Sequence, residues 1–252
     1  MKKKMYSIVL LAAAATLLAI GMPAYANKTD DRIEASAKKT YVFKTYLKDD
    51  DVKVQSKDGV VTLTGTVAAE SHKSLAQETV ADLPGVKSVN NKLTVKGEPT
   101  SANSDAWITT KVKTVLLFHR SVSSVTEVST KGGIVTLKGE ANNNAEKDLT
   151  TEYAKDVDGV KDVKNEMTLA KTAKKSSRTT GDKIDDASIT AQVKIVLLYH
   201  RSTSAVNTSV KTKRGVVTLT GKAKNMAEKD LATKFAKDVK GVKSVKNNMT
   251  IG

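Results

Sequence analysis

The sequence predicts an α+β protein of three tandem α-β-β-α-β domains, each a three-stranded mixed sheet packed on two helices. Three observations carry this prediction. The stretch Gly215-Val216-Val217-Thr218-Leu219-Thr220-Gly221 recurs as Gly133-Ile134-Val135-Thr136-Leu137-Lys138-Gly139 and as Gly59-Val60-Val61-Thr62-Leu63-Thr64-Gly65. Residues 133–169 align with 215–251 without a gap at 25 identities in 37, and residues 59–95 match the same segment at 18 in 37. Upstream, residues 105–121 and 186–202 share 12 of 17 positions. A repeat unit this long is a small globular domain, not a solenoid turn.

Residues 1–26 read as a signal peptide. Lys2, Lys3 and Lys4 precede an apolar run from Ile8 to Ile20, and Ala24-Tyr25-Ala26 supplies a cleavage site between Ala26 and Asn27. The run is too short to span a bilayer. The chain has no cysteine, so no lipid anchor, disulfide framework or thiolate metal site is expected.

Domain one covers 27–97. Ile33, Ala37, Tyr41 and Phe43 form an imperfect helical stripe towards Leu47, and Asp49-Asp50-Asp51 reads as a solvated break. Val52 and Val54 alternate as a first strand, and Lys57-Asp58-Gly59 turns a hairpin into Val60–Thr66. A helix from Ser71 to Leu83 stops at Pro84-Gly85, before a strand over Lys87–Val95. Residues 98–104 are a linker.

Domain two covers 105–170. Ile108, Val112, Val115, Leu116 and His119 lie on one helical face. Val128, Val135 and Leu137 point inward from the hairpin. Asn143 and Glu146 have capping-box spacing and open a helix that ends at Gly159. Val163, Asn165, Met167 and Leu169 share one face of the last strand. Residues 171–185 form a basic, flexible linker. Domain three, 186–252, repeats the pattern: Ile189, Val193, Val196, Leu197 and His200 on the first helix, Asn225 and Glu228 at the second, and Val245, Met249 and Ile251 in the last strand.

In each central strand alternation buries one face: Val217 and Leu219 point one way, Val216, Thr218 and Thr220 the other. Gly59, Gly65, Gly133, Gly139, Gly215 and Gly221 bound these strands as turn residues, and Gly85, Gly159 and Gly241 precede the last strands. A hairpin followed by a helical crossover implies a mixed sheet with a right-handed crossover. With aromatics at only 4% of residues, the cores must be mostly Val, Leu, Ile and Ala.

The repeated G-V-V-T-L-T-G core and the approaches Gly85-Val86-Lys87-Ser88-Val89, Gly159-Val160-Lys161-Asp162-Val163 and Gly241-Val242-Lys243-Ser244-Val245 resemble the BON-domain family, in all three copies. That resemblance implies a periplasmic, envelope-associated protein linked to osmotic stress, with affinity for phospholipid surfaces and no catalysis.

The residues offer little catalytic chemistry. The three histidines, His72, His119 and His200, have no cysteine or second histidine in the same domain to build a zinc site, and neither phosphate-loop signature is present. No cofactor is expected. The pairs His119-Arg120 and His200-Arg201 fall at helix C-termini, which suit cations and not anions. They read as caps of the core edge rather than a phosphate-binding or pH-sensitive corner. Trp107, opposite Ser188 in the repeat, reads as a partly buried helix-end residue.

Charge is the informative signal. Of the net +15, the leader holds +3; residues 27–98 are +1, 105–170 are −1, the second linker is +3 and 186–252 are +9. That asymmetry points to an anionic partner at the C-terminal end. Two faces of domain three are candidates: an outer helix face with Lys229, Lys237 and Lys240, and an open sheet face with Lys211, Lys213, Lys222 and Lys246. The expected partners are anionic phospholipid head groups, met peripherally rather than by a membrane span, or envelope proteins engaged by three flexibly tethered domains in a chaperone-like way. Export argues against nucleic acid.

Overall fold

The computed structural model of the protein describes residues 23–97, 101, 104–122, 127–170, 183–203 and 207–252. Nearly all of the expected signal peptide, and most of both linkers, lie outside these residues. Ala26 and Asn27 fall within the first helix.

In domain one, α1 (Pro23–Lys39) and α2 (Tyr41–Thr45) lead into the hairpin β1 (Asp51–Lys57) and β2 (Val60–Val67), then α3 (Glu70–Ala81) and β3 (Ser88–Val95). β2 is central, antiparallel to β1 and parallel to β3, with Val61 opposite Val89. The crossover through α3 is what makes the third strand parallel. Val61 and Leu63 are fully buried, whereas Val60 faces outward. Domain two repeats this with α4 (Asp105–Phe118), β4 (Glu127–Lys131), β5 (Ile134–Lys138), β6 (Glu140–Ala141), α5 (Asn144–Lys155), β7 (Asp162–Asn165) and β8 (Thr168–Leu169). Domain three has α6 (Asp186–Tyr199), β9 (Thr208–Lys213), β10 (Val216–Ala223), α7 (Met226–Asp238), β11 (Ser244–Asn247) and β12 (Thr250–Ile251). β10 lies between antiparallel β9 and parallel β11, and β12 pairs with its far end.

Each first helix is tied to its own hairpin by one carboxylate. Asp105 accepts the N–H groups of Gly132 and Gly133 at 2.7 and 2.9 Å. Asp30 takes those of Asp58 and Gly59, plus the Ser56 hydroxyl. A second device ties the last strand to the second helix. Asn165 Nδ2 donates to the Lys147 carbonyl at 2.9 Å and to Thr151 Oγ1 at 2.7 Å, while its Oδ1 accepts from Met167 N. Asn91 and Asn247 repeat the arrangement. Asn143 and Asn225 cap α5 and α7 by accepting from Glu146 N and Glu228 N. The glutamates return their carboxylates to the N–H groups of Asn142 and Lys224, one position before the cap.

Several expectations need correction. Thr40 ends α1 and caps α2, so Val42 turns inward while Tyr41 and Phe43 are only half-buried. Asp50 is not solvated: its side chain is 3% exposed, paired with His72 Nδ1 at 2.6 Å, and it accepts from Ala68 N. α5 ends at Lys155, short of Gly159, because the following residues join another domain. The last strands of domains two and three are broken where Asn165 and Asn247 redirect the chain. Met167 and Met249 stay buried, but Leu169 and Ile251 are exposed.

The largest departure lies between domains. α6 buries eleven of its fourteen residues, including Ala191, Ile195 and Tyr199, which lie off the stripe first read. A helix buried nearly all round cannot be served by one sheet face. α6 packs on α7 of its own domain, on α3 of domain one and on α4 of domain two. Tyr41 N and Val42 N of domain one donate to Asp185 Oδ2 and Ser188 Oγ at its start. The helices therefore share one core, and the domains are not separately tethered.

Candidate functional site on a basic sheet face and a domain interface

The sheet register decides which lysines stand together. Val210, Val217 and Leu219 are buried, so Ser209, Lys211 and Lys213 of β9 face away from the helices. Pairing sets Lys211 opposite Thr218, and Thr218 opposite Lys246 on the other side. Lys222 continues the outward row of Val216, Thr218 and Thr220 and lies opposite Thr250. Lys211, Lys213, Lys222 and Lys246 are all exposed. The four strands of this domain contain no Asp or Glu, so the strands carry +4. In domain two Lys131, Lys138 and Lys164 are balanced by Glu127, Glu140 and Asp162; in domain one Lys53, Lys57 and Lys92 accompany a single acid, Asp51, leaving +2.

The helix-face lysines do not form a matching set. Lys237 is exposed, but Lys229 Nζ donates to the Met249 carbonyl at 2.6 Å. Lys240 reaches into domain two and donates to the Leu117 carbonyl at 2.7 Å; its burial holds its pKa below the usual lysine value. The nine turn glycines, Gly59, Gly65, Gly85, Gly133, Gly139, Gly159, Gly215, Gly221 and Gly241, all have positive φ and serve the backbone.

The histidine pairs sit at an interface that the repeat pattern does not reveal. His119 and His200 follow α4 and α6 and are 0% and 1% exposed. Their Nε2 atoms lie 3.3 Å apart across the boundary of domains two and three. Behind each ring is a carboxylate of the opposite domain: Asp238 Oδ2 is 3.0 Å from His119 Nδ1, and Asp156 Oδ2 is 3.0 Å from His200 Nδ1. The His119–Asp238 contact has the distance of an ion pair but lies off the line of a hydrogen bond. Tyr153 stacks on His119 and Phe235 on His200, each pair of centroids 4.0 Å apart. Backbone bonds cross in homologous pairs: Arg120 N to Asp238 O with Arg201 N to Asp156 O, and Lys240 N to Phe118 O with Asp158 N to Tyr199 O. The histidines thus cap no core edge of their own domain. Trp107 stands edge-on to Tyr199 at 5.6 Å across the same boundary.

Burial pushes His119 below the usual histidine range, only partly opposed by Asp238. Burial also pushes Asp156 and Asp238 up, but hydrogen bonds from His200 and Ser202 hold Asp156, and the adjacent His119 ring together with hydrogen bonds from Ser121 and Tyr153 holds Asp238, below the ordinary carboxylate value. Among the described residues no group of three or more His, Cys, Asp or Glu could hold a metal ion. None of the described helices is long and apolar enough to cross a membrane.

Fold and interface define a protein of repeated mixed-sheet domains with helices inside and sheets outside. The chain belongs to the BON-domain family, whose profile matches residues 29–97, 104–171 and 185–252. Osmotically-inducible protein Y of Escherichia coli K12 is 35% identical over 147 residues, 58% of this chain and 71% of that protein. An uncharacterised protein of Anaplasma centrale is 33% identical over 141 residues, 56% of this chain and 90% of the relative. Among solved structures, CdsD, a structural protein of the type III secretion system of Chlamydia trachomatis, aligns over 87% of this chain and 90% of its own at 16% identity. Its TM-score of 0.24 is too low to bear on function.

Proposed function

We propose that this is an exported, periplasmic BON-domain protein that binds anionic phospholipid surfaces peripherally and supports the envelope under osmotic stress, by binding rather than catalysis. The observation that carries this reading is the open sheet face of domain three: four exposed lysines, interleaved with hydroxyls, on strands with no acid. Each lysine near an anionic surface contributes about 1 kcal/mol. The relative named for osmotic induction supports the stress context.

The test is co-sedimentation of the full chain from Asn27 onward with vesicles at low salt. The whole chain is needed because α6 is covered by all three domains. Anionic vesicles should retain the protein and neutral ones should not. Replacing Lys211, Lys213, Lys222 and Lys246 by Gln should abolish the difference, while Lys237→Gln should change little. Equal retention by both vesicle types would sink the lipid reading and leave a protein client as the partner.

A further inference from the structure

The His119–His200 contact leaves room for one hydrogen between the two Nε2 atoms. Two neutral rings satisfy these contacts in one tautomer assignment: His119 with its hydrogen on Nε2 donates to His200 Nε2, and His200 with its hydrogen on Nδ1 donates to Asp156. In that assignment His119 Nδ1 carries no hydrogen and is the open place for one, 3.0 Å from Asp238 Oδ2 on a bent approach. That carboxylate instead accepts from Ser121 and from the Tyr153 hydroxyl. One added proton can sit on His119 Nδ1 as an ion pair with Asp238. A second places a hydrogen on both Nε2 atoms, so N–H meets N–H between two like charges.

Every charged or titratable group facing the pair belongs to this balance. Asp238 and Lys240 come from the end of α7, Asp156 and Tyr153 from α5. Arg120 Nε is 3.7 Å from Asp238 Oδ1. The Arg201 guanidinium is held by the carbonyls of Lys155 and Val160. Around them Phe118, Val157 and Val239 are buried, so no water shell screens a second charge.

We propose that the His119–His200 contact is an acid-released latch between domains two and three: protons added at this contact part the domains while leaving each domain's sheet intact. The released state frees the helix ends and uncovers Tyr153 and Phe235. The latch is independent of the lipid-binding reading.

Amide hydrogen exchange on the full chain tests it. The amides of Arg120, Asp158, Arg201 and Lys240 bond only across this boundary, whereas those of the β9–β10 ladder are internal to domain three. Between about pH 7 and about pH 5, where histidine titrates, protection of the four boundary amides should fall about tenfold or more, and that of the ladder should hold. Trp107, the chain's one tryptophan, should lose Tyr199 and shift its emission to the red in step. The double variant His119→Gln, His200→Gln should abolish the acid response. Should that variant not fold, Asp238→Asn decides: without the carboxylate the closed state holds protons less well, so release should move to higher pH. Loss of boundary and ladder protection together, no loss by about pH 5, an unchanged response in the glutamine variant, or an unshifted release in Asp238→Asn would each overturn the latch.

Discussion

Asp186 in the first turn of α6 holds Gly215 in the hairpin turn, its carboxylate accepting from Gly215 N at 2.8 Å and from Arg214 N at 2.6 Å. The turn bends through two left-handed residues, Arg214 at φ 54° and Gly215 at φ 79°. Asp186→Ala leaves both donors to water and should cost about 1–2 kcal/mol. That is a drop of about 2–4 °C in Tm per kcal/mol for a chain of this size. Gly215→Val should cost more than about 1 kcal/mol through backbone strain. Thermal melts of the full chain read both, and an unchanged Tm would show the clamp to be ornamental.

Gly221, like its counterpart Gly65, should be far less replaceable than a turn glycine with open space beside it. It lies at φ 124°, and an added Cβ would stand 1.8 Å from the Asn207 carbonyl oxygen, a backbone atom that cannot swing aside. Gly132 also has positive φ but has nothing within 4 Å of such a Cβ. Gly221→Ala should therefore destabilise far more than Gly132→Ala in denaturant titration. Similar midpoints for the two would contradict the close approach.

Asn247 bridges α7 and the broken last strand through bonds to Lys229 O, Thr233 Oγ1 and Met249 N at 2.9, 2.8 and 3.0 Å. Asn247→Leu keeps the branched shape of the side chain but strands those partners, at about 1–3 kcal/mol. Asn165→Leu should behave alike, since the same bonds recur there. Chemical unfolding checks both, and a neutral outcome would mean water replaces the amide.

Stability should fall with acid in two stages. His119 has its folded pKa depressed, so below about 6.5 the unfolded chain binds more protons than the folded one and stability declines. Asp156 and Asp238 are also depressed, so their contribution is present above the ordinary carboxylate value of 3.8 and is lost only as pH falls through their lower folded values. Urea midpoints across pH should resolve a histidine stage, absent in the double glutamine variant, from a later carboxylate stage.

Much of each domain was legible because its cues are local. Alternation in Val216–Thr220, the glycines bounding the strand and the Asn225–Glu228 cap act within a few residues. The Asp186–Gly215 clamp was also within reach, since D-A-x-I-T recurs at 105 and 186, twenty-eight and twenty-nine residues before the turn glycines. The boundary between domains was not. Aligning copies shows what they share, and His119 and His200 look like the same local cap twice, although each repeats because it serves the other. Thr190, Ala191 and Ile195 carried the warning: α6 has no polar side wide enough for solvent. The charge excess located the basic domain and alternation its open sheet face, but only long-range hydrogen bonds show Lys229 and Lys240 engaged while Lys211 and Lys246 stay exposed.

Domains two and three each bring one histidine and one aspartate to their shared boundary, so the contact is isologous, as between the halves of a symmetric dimer. Because both halves lie on one polypeptide, each meets the other at a local concentration set by the connecting segment. Dilution does not compete with closure. The joined state is therefore as complete in a single molecule as in a crowded compartment, and a separated pair finds its own partner rather than a neighbour's.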